Sequence, residues 1–259
     1  MKKSKRTKAI LAVFLCAVVV FSAMFLYSFK KTKRNFDVQS LPEDFTITGH
    51  TGCMGEKDNS IEAMEAAVSA GAQIIEFDLN FNEKGEPVLS HDEPKGDEVT
   101  LEKAFEFLQK HPAVLANVDA KSTKNLSAVQ KLGEEYMVLG QLFYTGISKE
   151  NTKAVQKGSP RIPYYLNVDV DKSKASNKDY LEEIAMKVIL SGAVGINMHK
   201  RAVTKELCGF FHQKGLLVSV YTVNNEYELY RVLSCGPDNI TSRRPDRLSK
   251  ILETKNKVN

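Results

Sequence analysis

Two acids lie two residues apart inside an apolar run, Gln73-Ile-Ile-Glu76-Phe-Asp78-Leu79. His91-Asp92 begins thirteen residues after Asp78, and a lone His50 precedes the run. Side chains alternate along a strand, so Glu76 and Asp78 face the same way. Two like charges aimed together repel unless a cation sits between them. A helix cap or surface ion pair accounts poorly for Glu76, which has apolar residues on both sides. With His50 and His91 near, the set points to metal-assisted acid–base chemistry. Imidazole suits proton transfer because its pKa lies close to operating pH.

Such residues act together only if the fold converges them. Strands are expected at Thr46–Thr48, Gln73–Leu79, Val114–Asp119 and Gln141–Thr145. Four more follow at Ile162–Asn167, Val194–Met198, Leu217–Thr222 and Asn239–Ser242. Amphipathic helices alternate with them, from Ser60–Ala70, capped by Asn59 or Ser60, to Pro245–Leu252. Pro87–Ser90 reads as a short extra strand after the turn at Glu83–Glu86. Short apolar strands between amphipathic helices indicate a parallel sheet covered by helices. Eight such units in about 210 residues suggest a closed (β/α)8 barrel, with an open doubly wound sheet as the alternative. Each candidate stands at a strand exit, where such barrels carry their chemistry. His50 follows the first strand, Glu76 and Asp78 end the second, His91 follows the extra one, and Asp119 and Lys121 end the third.

Several segments now carry a resemblance. In order they are Gly49-His-Thr-Gly52, Asp58-Asn-Ser60, Gly71–Asp78, Gly85–Asp92 and Asn117-Val-Asp-Ala-Lys121. Val218–Asn224 and Ser242-Arg-Arg-Pro-Asp246 follow. Across residues 45–250 this is similar to the glycerophosphodiester phosphodiesterase family of (β/α)8 barrels. The resemblance implies hydrolysis of a glycerophosphodiester or phospholipid-derived diester to an alcohol and a phosphomonoester. A phospholipase-type headgroup enzyme and a silent barrel that binds phosphorylated envelope components are the alternatives. It implies His50 and His91 as the acid–base couple and Glu76, Asp78 and Asp119 as ligands of a divalent cation. Carboxylate ligands suit Mg²⁺ or Ca²⁺ better than Zn²⁺. Lys121 is expected to hold a phosphate oxygen, or to pair with Asp119. Tyr221 is expected to wall the alcohol portion, and Asp58 to orient His50 or the ligand shell. Two departures stand out. The family's Arg after the first histidine is Thr51 here, so Lys121, Lys200 or Arg243 must compensate or activity is weakened. The loop Glu93–Thr100 is short, which favours an open pocket.

Composition adds an anchor. Ala9–Phe29 contains no charge and, as a helix, would span roughly 31 Å, the thickness of a bilayer core. It is longer than a signal-peptide core, so an uncleaved transmembrane helix is expected within a basic segment, residues 1–34. Residues 35–44 read as a linker, 45–252 as the barrel and 253–259 as a polar tail. Five basic residues precede the span and four follow, which barely discriminates; the N-terminal amine tips the balance slightly to a cytoplasmic N-terminus and an extracytoplasmic domain. The formal charge of +4 comes from those nine residues; the remainder has 27 basic against 32 acidic residues. A net −5 domain is a poor nucleic-acid binder, and the basic flanks suit anionic lipid. Cys53, Cys208 and Cys235 form no disulfide framework.

Overall fold

Aliphatic and β-branched runs, each followed by a polar turn and a helix, form eight strand–helix units in the computed structural model, which describes residues 18–24 and 41–256. The strands are β1 (Thr46–Gly49), β2 (Ile74–Phe81), β3 (Pro87–Leu89), β4 (Val99–Thr100) and β5 (Leu115–Ala120). They continue with β6 (Leu142–Ile147), β7 (Tyr164–Asn167), β8 (Gly195–His199), β9 (Leu217–Tyr221) and β10 (Asn239–Ser242). The helices are α1 (Ile61–Ser69), α2 (Leu101–Lys110), α3 (Leu126–Glu135) and α4 (Thr152–Gly158). After them come α5 (Lys178–Ser191), α6 (Lys205–Gln213), α7 (Glu226–Leu233) and α8 (Pro245–Asn256).

All eight principal strands pair in parallel, and β1 bonds both β10 and β2. That double pairing closes the sheet and excludes the open alternative. β2 continues past the barrel wall and bonds β3 in antiparallel register, Leu79 opposite Leu89, while β3 bonds β4. The extra strand was expected; β4, only two residues long, was not. Helix starts follow side-chain capping: Ser60 accepts from the Ala63 N–H, Asn177 from Tyr180, Thr204 from Leu207 and Asn225 from Glu228. The last helix runs to Asn256, so residues expected to open a polar tail are helical.

Residues 18–24 are helical, with Val18, Val19, Val20, Phe21 and Met24 exposed. The rest of the proposed span Ala9–Phe29 lies outside the described residues. Among the described residues no helix is long and apolar enough to cross a membrane.

Alternation along the strands divides the barrel into two environments. Ile75, Phe77 and Leu79 of β2, and Ala116 and Val118 of β5, are fully buried on the helix side. The opposite positions, Glu76, Asp78, Asn117 and Asp119, are polar. The same period gives Thr48, Thr145, Asn167, Asn197, Ser219, Asn239 and Thr241. Above an apolar layer of Ile74, Leu115, Phe143, Tyr165 and Leu217 at the N-terminal ends, the barrel interior is hydrogen-bonded. Asn239 Nδ2 donates to Thr48 Oγ1 (2.8 Å) and Thr46 Oγ1 (3.0 Å), and its Oδ1 accepts from Ser219 Oγ (3.1 Å). That amide bridges β9, β10 and β1, the seam that closes the sheet. Buried polar groups without partners are costly, so the network holds the seam only when complete. Asn239→Ala strands the Thr48 and Ser219 hydroxyls and is expected to cost about 1–3 kcal/mol, measured by urea unfolding. An unchanged midpoint would remove the seam role.

Candidate active site

Seven of the eight barrel strands point polar side chains into a cavity of about 360 Å³ at their C-terminal ends, lined by His50, Glu76, Asn117, Asp119, Lys121 and Tyr221 among others. The acids arrive there by register. β2 and β5 are parallel with Asp78 opposite Asp119, and Glu76 lies one inward position deeper. Ligand atoms of Glu76, Asp78 and Asp119 all lie within 4.8 Å of one another. The expected triad is therefore brought together.

Crowding shows in the protonation energetics. Burial first, then the neighbouring Asp119 and Asp78 charges, push the Glu76 pKa well above the usual carboxylate range. Burial alone would lower the Lys121 pKa, but Asp119 and Asp78 outweigh it and raise it. The Lys121 ammonium is 2.5 Å from Asp119 and 3.0 Å from Asp78. Three oxygen donors, mostly buried and mutually repelling, suit a hard divalent cation. Glu76, Asp78 and Asp119 are the residues that would hold it.

His50 sits at the exit of β1, a quarter exposed, 3.9 Å from Glu76. Its Nδ1 lies 2.9 Å from the Thr51 carbonyl, which accepts only, so Nδ1 carries the proton. Nε2 is left with a lone pair. Burial lowers the His50 pKa, with Arg243 adding to the effect while the Thr51 hydrogen bond and the Asp78 and Asp58 charges oppose it. A neutral imidazole with one fixed tautomer is equipped to accept a proton.

His91 is placed differently. Its loop leaves β3 with the Ser90 N–H bonded to the Asp78 carbonyl (3.0 Å), beside the triad. The ring itself is two-thirds exposed, bonds Asp92 (3.0 Å), and does not line the cavity. Tyr221 does line it, with His199 set edge-to-face at 6.0 Å.

Asp58 lies beside a guanidinium. Its carboxylate bonds Arg243 (2.8 Å), and no hydrogen bond joins it to His50 or the triad. The exposed acid takes the nearest guanidinium, and its chain neighbour does the orienting. Asn59, at φ 58°, turns inward. Its Nδ2 donates to Asp78 Oδ2 (3.0 Å) and its Oδ1 accepts the Asp78 N–H (2.9 Å). Thr51 completes this clasp: its N–H donates to Glu76 (2.6 Å) and its hydroxyl accepts the Asn59 N–H (2.5 Å). Thr51 itself is buried, at 4 % exposure. Lys200, the other compensating cation considered, is bonded to Glu228 (2.5 Å). Gly146 is needed on geometric grounds, because a Cβ there would lie 2.6 Å from Asp119 Oδ1.

Sequence reasoning missed Asn59 and the cavity asparagines 117, 167 and 197. The latter had a signal, since each sits at an inward position at or near the exit of a parallel strand.

Comparison with known proteins gives this geometry its context. The model of the glycerophosphoryl diester phosphodiesterase family matches residues 42–103 and 93–247, most of the chain. The chain belongs to that family. Membership makes it a phosphoric diester hydrolase. A glycerophosphodiester phosphodiesterase of Bacillus subtilis is 23 % identical over 95 % of this chain and 98 % of its own length. The fold is similar to a crystal structure from Silicibacter pomeroyi, with TM-score 0.69, 17 % identity, and 82 % and 94 % of the two chains covered. An Oleispira antarctica phosphodiesterase, solved with the product sn-glycerol-3-phosphate, gives TM-score 0.68 at 16 % identity, covering 83 % and 99 %.

If Asn59 orients a metal ligand, Asn59→Ala weakens Mg²⁺ or Ca²⁺ binding by about 10–100-fold. Calorimetric titration of the two proteins reads this directly; equal affinities would leave Asn59 as loop packing.

Proposed function

We propose that this chain hydrolyses a glycerophosphodiester to sn-glycerol 3-phosphate and an alcohol, with a divalent cation and His50 as general base. The carrying observation is the juxtaposition of a buried carboxylate triad with a neutral imidazole on one open cavity. A bound divalent ion would polarise the phosphoryl oxygen and offset the charge that develops on it. His50 Nε2 takes the proton of the attacking hydroxyl, from water or from the substrate's own glycerol. Glu76, through the Thr51 N–H, steadies the backbone carbonyl that fixes the ring tautomer. Lys121 moderates repulsion within the triad and offers its ammonium to a phosphoryl oxygen. Asn117, Asn167 and Asn197 supply amides suited to glycerol hydroxyls, and Tyr221 walls the departing alcohol. His91 protonates the leaving alkoxide; what supports this is its loop, tied to the Asp78 carbonyl at the cavity edge. The product bound in the Oleispira relative supports a small phosphodiester as substrate.

Turnover of glycerophosphocholine is expected to stop on EDTA treatment and to fall about 10²–10⁴-fold in both His50→Ala and His91→Ala. Activity kept in His91→Ala would give the leaving-group proton to another donor, and binding without turnover would favour a silent barrel. Because burial holds the His50 pKa below the ordinary 6.5, the ring remains neutral to lower pH. The acid limb of kcat/KM should therefore fall below 6.5; a limb above that value contradicts the assignment of His50 as base.

The segment 9–29 is proposed as a single-pass anchor with a cytoplasmic N-terminus and an extracytoplasmic barrel, on the strength of its uncharged length and basic flanks. The full chain should sediment with membranes and its barrel should be cut by protease added outside intact cells. Full-length protein recovered in the soluble fraction would end the anchor proposal.

A further inference from the structure

Arg243 occupies a position that the chemistry above leaves unused. The His50 N–H donates to the Ser242 carbonyl (2.9 Å), so Arg243 follows the residue that holds the His50 backbone, at the rim and outside the residues that line the cavity. Its backbone is held on both sides: its N–H donates to Asn224 Oδ1 (2.9 Å) and its carbonyl accepts from Met54 (3.0 Å). Its guanidinium is clasped by Asp58 at 2.8 and 3.4 Å. Space for that clasp comes from Gly52, at φ +67°, where a Cβ would lie 1.8 Å from Asp58 Oδ1 and 2.8 Å from Arg243 Nη1. Its charge adds to the burial that lowers the His50 pKa, and partly opposes the burial that raises that of Cys53.

The clasp uses two of the five guanidinium N–H groups. The other three have no protein acceptor among the described residues. Lys121 and Lys200, by contrast, are each bound to carboxylates. Charge counting sharpens the point. Three carboxylates, one lysine and one divalent ion sum to zero, which gives an anionic diester no net attraction at the triad. The Asp58–Arg243 pair adds no net charge to that sum; what it adds is a guanidinium fixed in place with unused donors.

We propose that Arg243, held by Asp58 and Gly52 at the rim, is the substrate-anchoring residue of this site and grips a phosphoryl oxygen of the incoming diester. A planar guanidinium offers paired donors that match phosphate oxygens. It sets affinity for the phosphate, while proton transfer remains with the histidines. The proposal rests on the phosphodiesterase reading, but its anion contact is measurable without turnover.

Two measurements test it on the metal-loaded full chain: KM and kcat for glycerophosphocholine, and calorimetric titration with sn-glycerol 3-phosphate. Arg243→Gln should raise KM and weaken sn-glycerol 3-phosphate by about tenfold or more, with kcat and the melting temperature nearly unchanged. Arg243→Lys should recover part of the affinity, because it restores charge without the fork. Unchanged KM and product affinity in Arg243→Gln would overturn the proposal. So would parallel losses of stability and rate in Arg243→Gln and Asp58→Asn with affinity intact, which would make the pair a structural clasp. Absence of turnover in the unmutated protein would defeat the hydrolase reading; the product titration would still decide the anchor, by the same loss or constancy in Arg243→Gln.

Discussion

Mutual repulsion among Glu76, Asp78 and Asp119 is the constraint around which the rest is arranged. Parallel pairing sets Asp78 directly opposite Asp119, and the strand period brings Glu76 onto the same face. A fold that forces three acids within 4.8 Å must supply compensation. The compensation consists of a raised Glu76 pKa, the Lys121 ammonium set against two of the acids, and hydrogen bonds from Thr51 and Asn59. Each contribution is the kind a divalent cation would replace or share. Three converging carboxylates held in this way would suit a hard divalent cation.

The same constraint explains a polar barrel interior. Inward positions that are commonly aliphatic carry Asn, Thr and Ser here, and they bond one another across strands. An apolar interior beside the triad would lower the local dielectric and make the crowded charge still more costly. The Thr145 hydroxyl, between Asn117 and Asp119, joins the network to the triad itself. Apolar burial is moved outward, to the shell between strands and helices, where Phe77, Ile75 and Leu79 lie fully buried.

Thr51 joins two of the strand exits at the site. Thr51 is small and hydrogen-bonding, and it ties the His50 turn to Asn59 and hence to Asp78. The Arg243 guanidinium, which follows the last strand, is held by Asp58. β1 and β10 are direct neighbours at the closing seam, so a residue leaving either one arrives near the same imidazole.

Much of this was legible in the residues. The apolar runs, their spacing and the helix caps determined the barrel, because each depends only on local periodicity and chain length. The inward pairing of Glu76 with Asp78, and of Asp119 with Lys121, followed from alternation along single strands. What no local rule could supply was the side-chain choice between neighbours in a loop. Asp58 and Asn59 are adjacent and both polar; only the approach of β10, 185 residues on, gave Asp58 its arginine and left Asn59 to face Asp78. The exposure of the His91 ring was likewise a tertiary outcome, set by a short loop on an antiparallel extension that does not fold back over the cavity. Strand identity is written in consecutive residues, whereas a hydrogen-bond partner is chosen by whatever the closed sheet brings within about 3 Å.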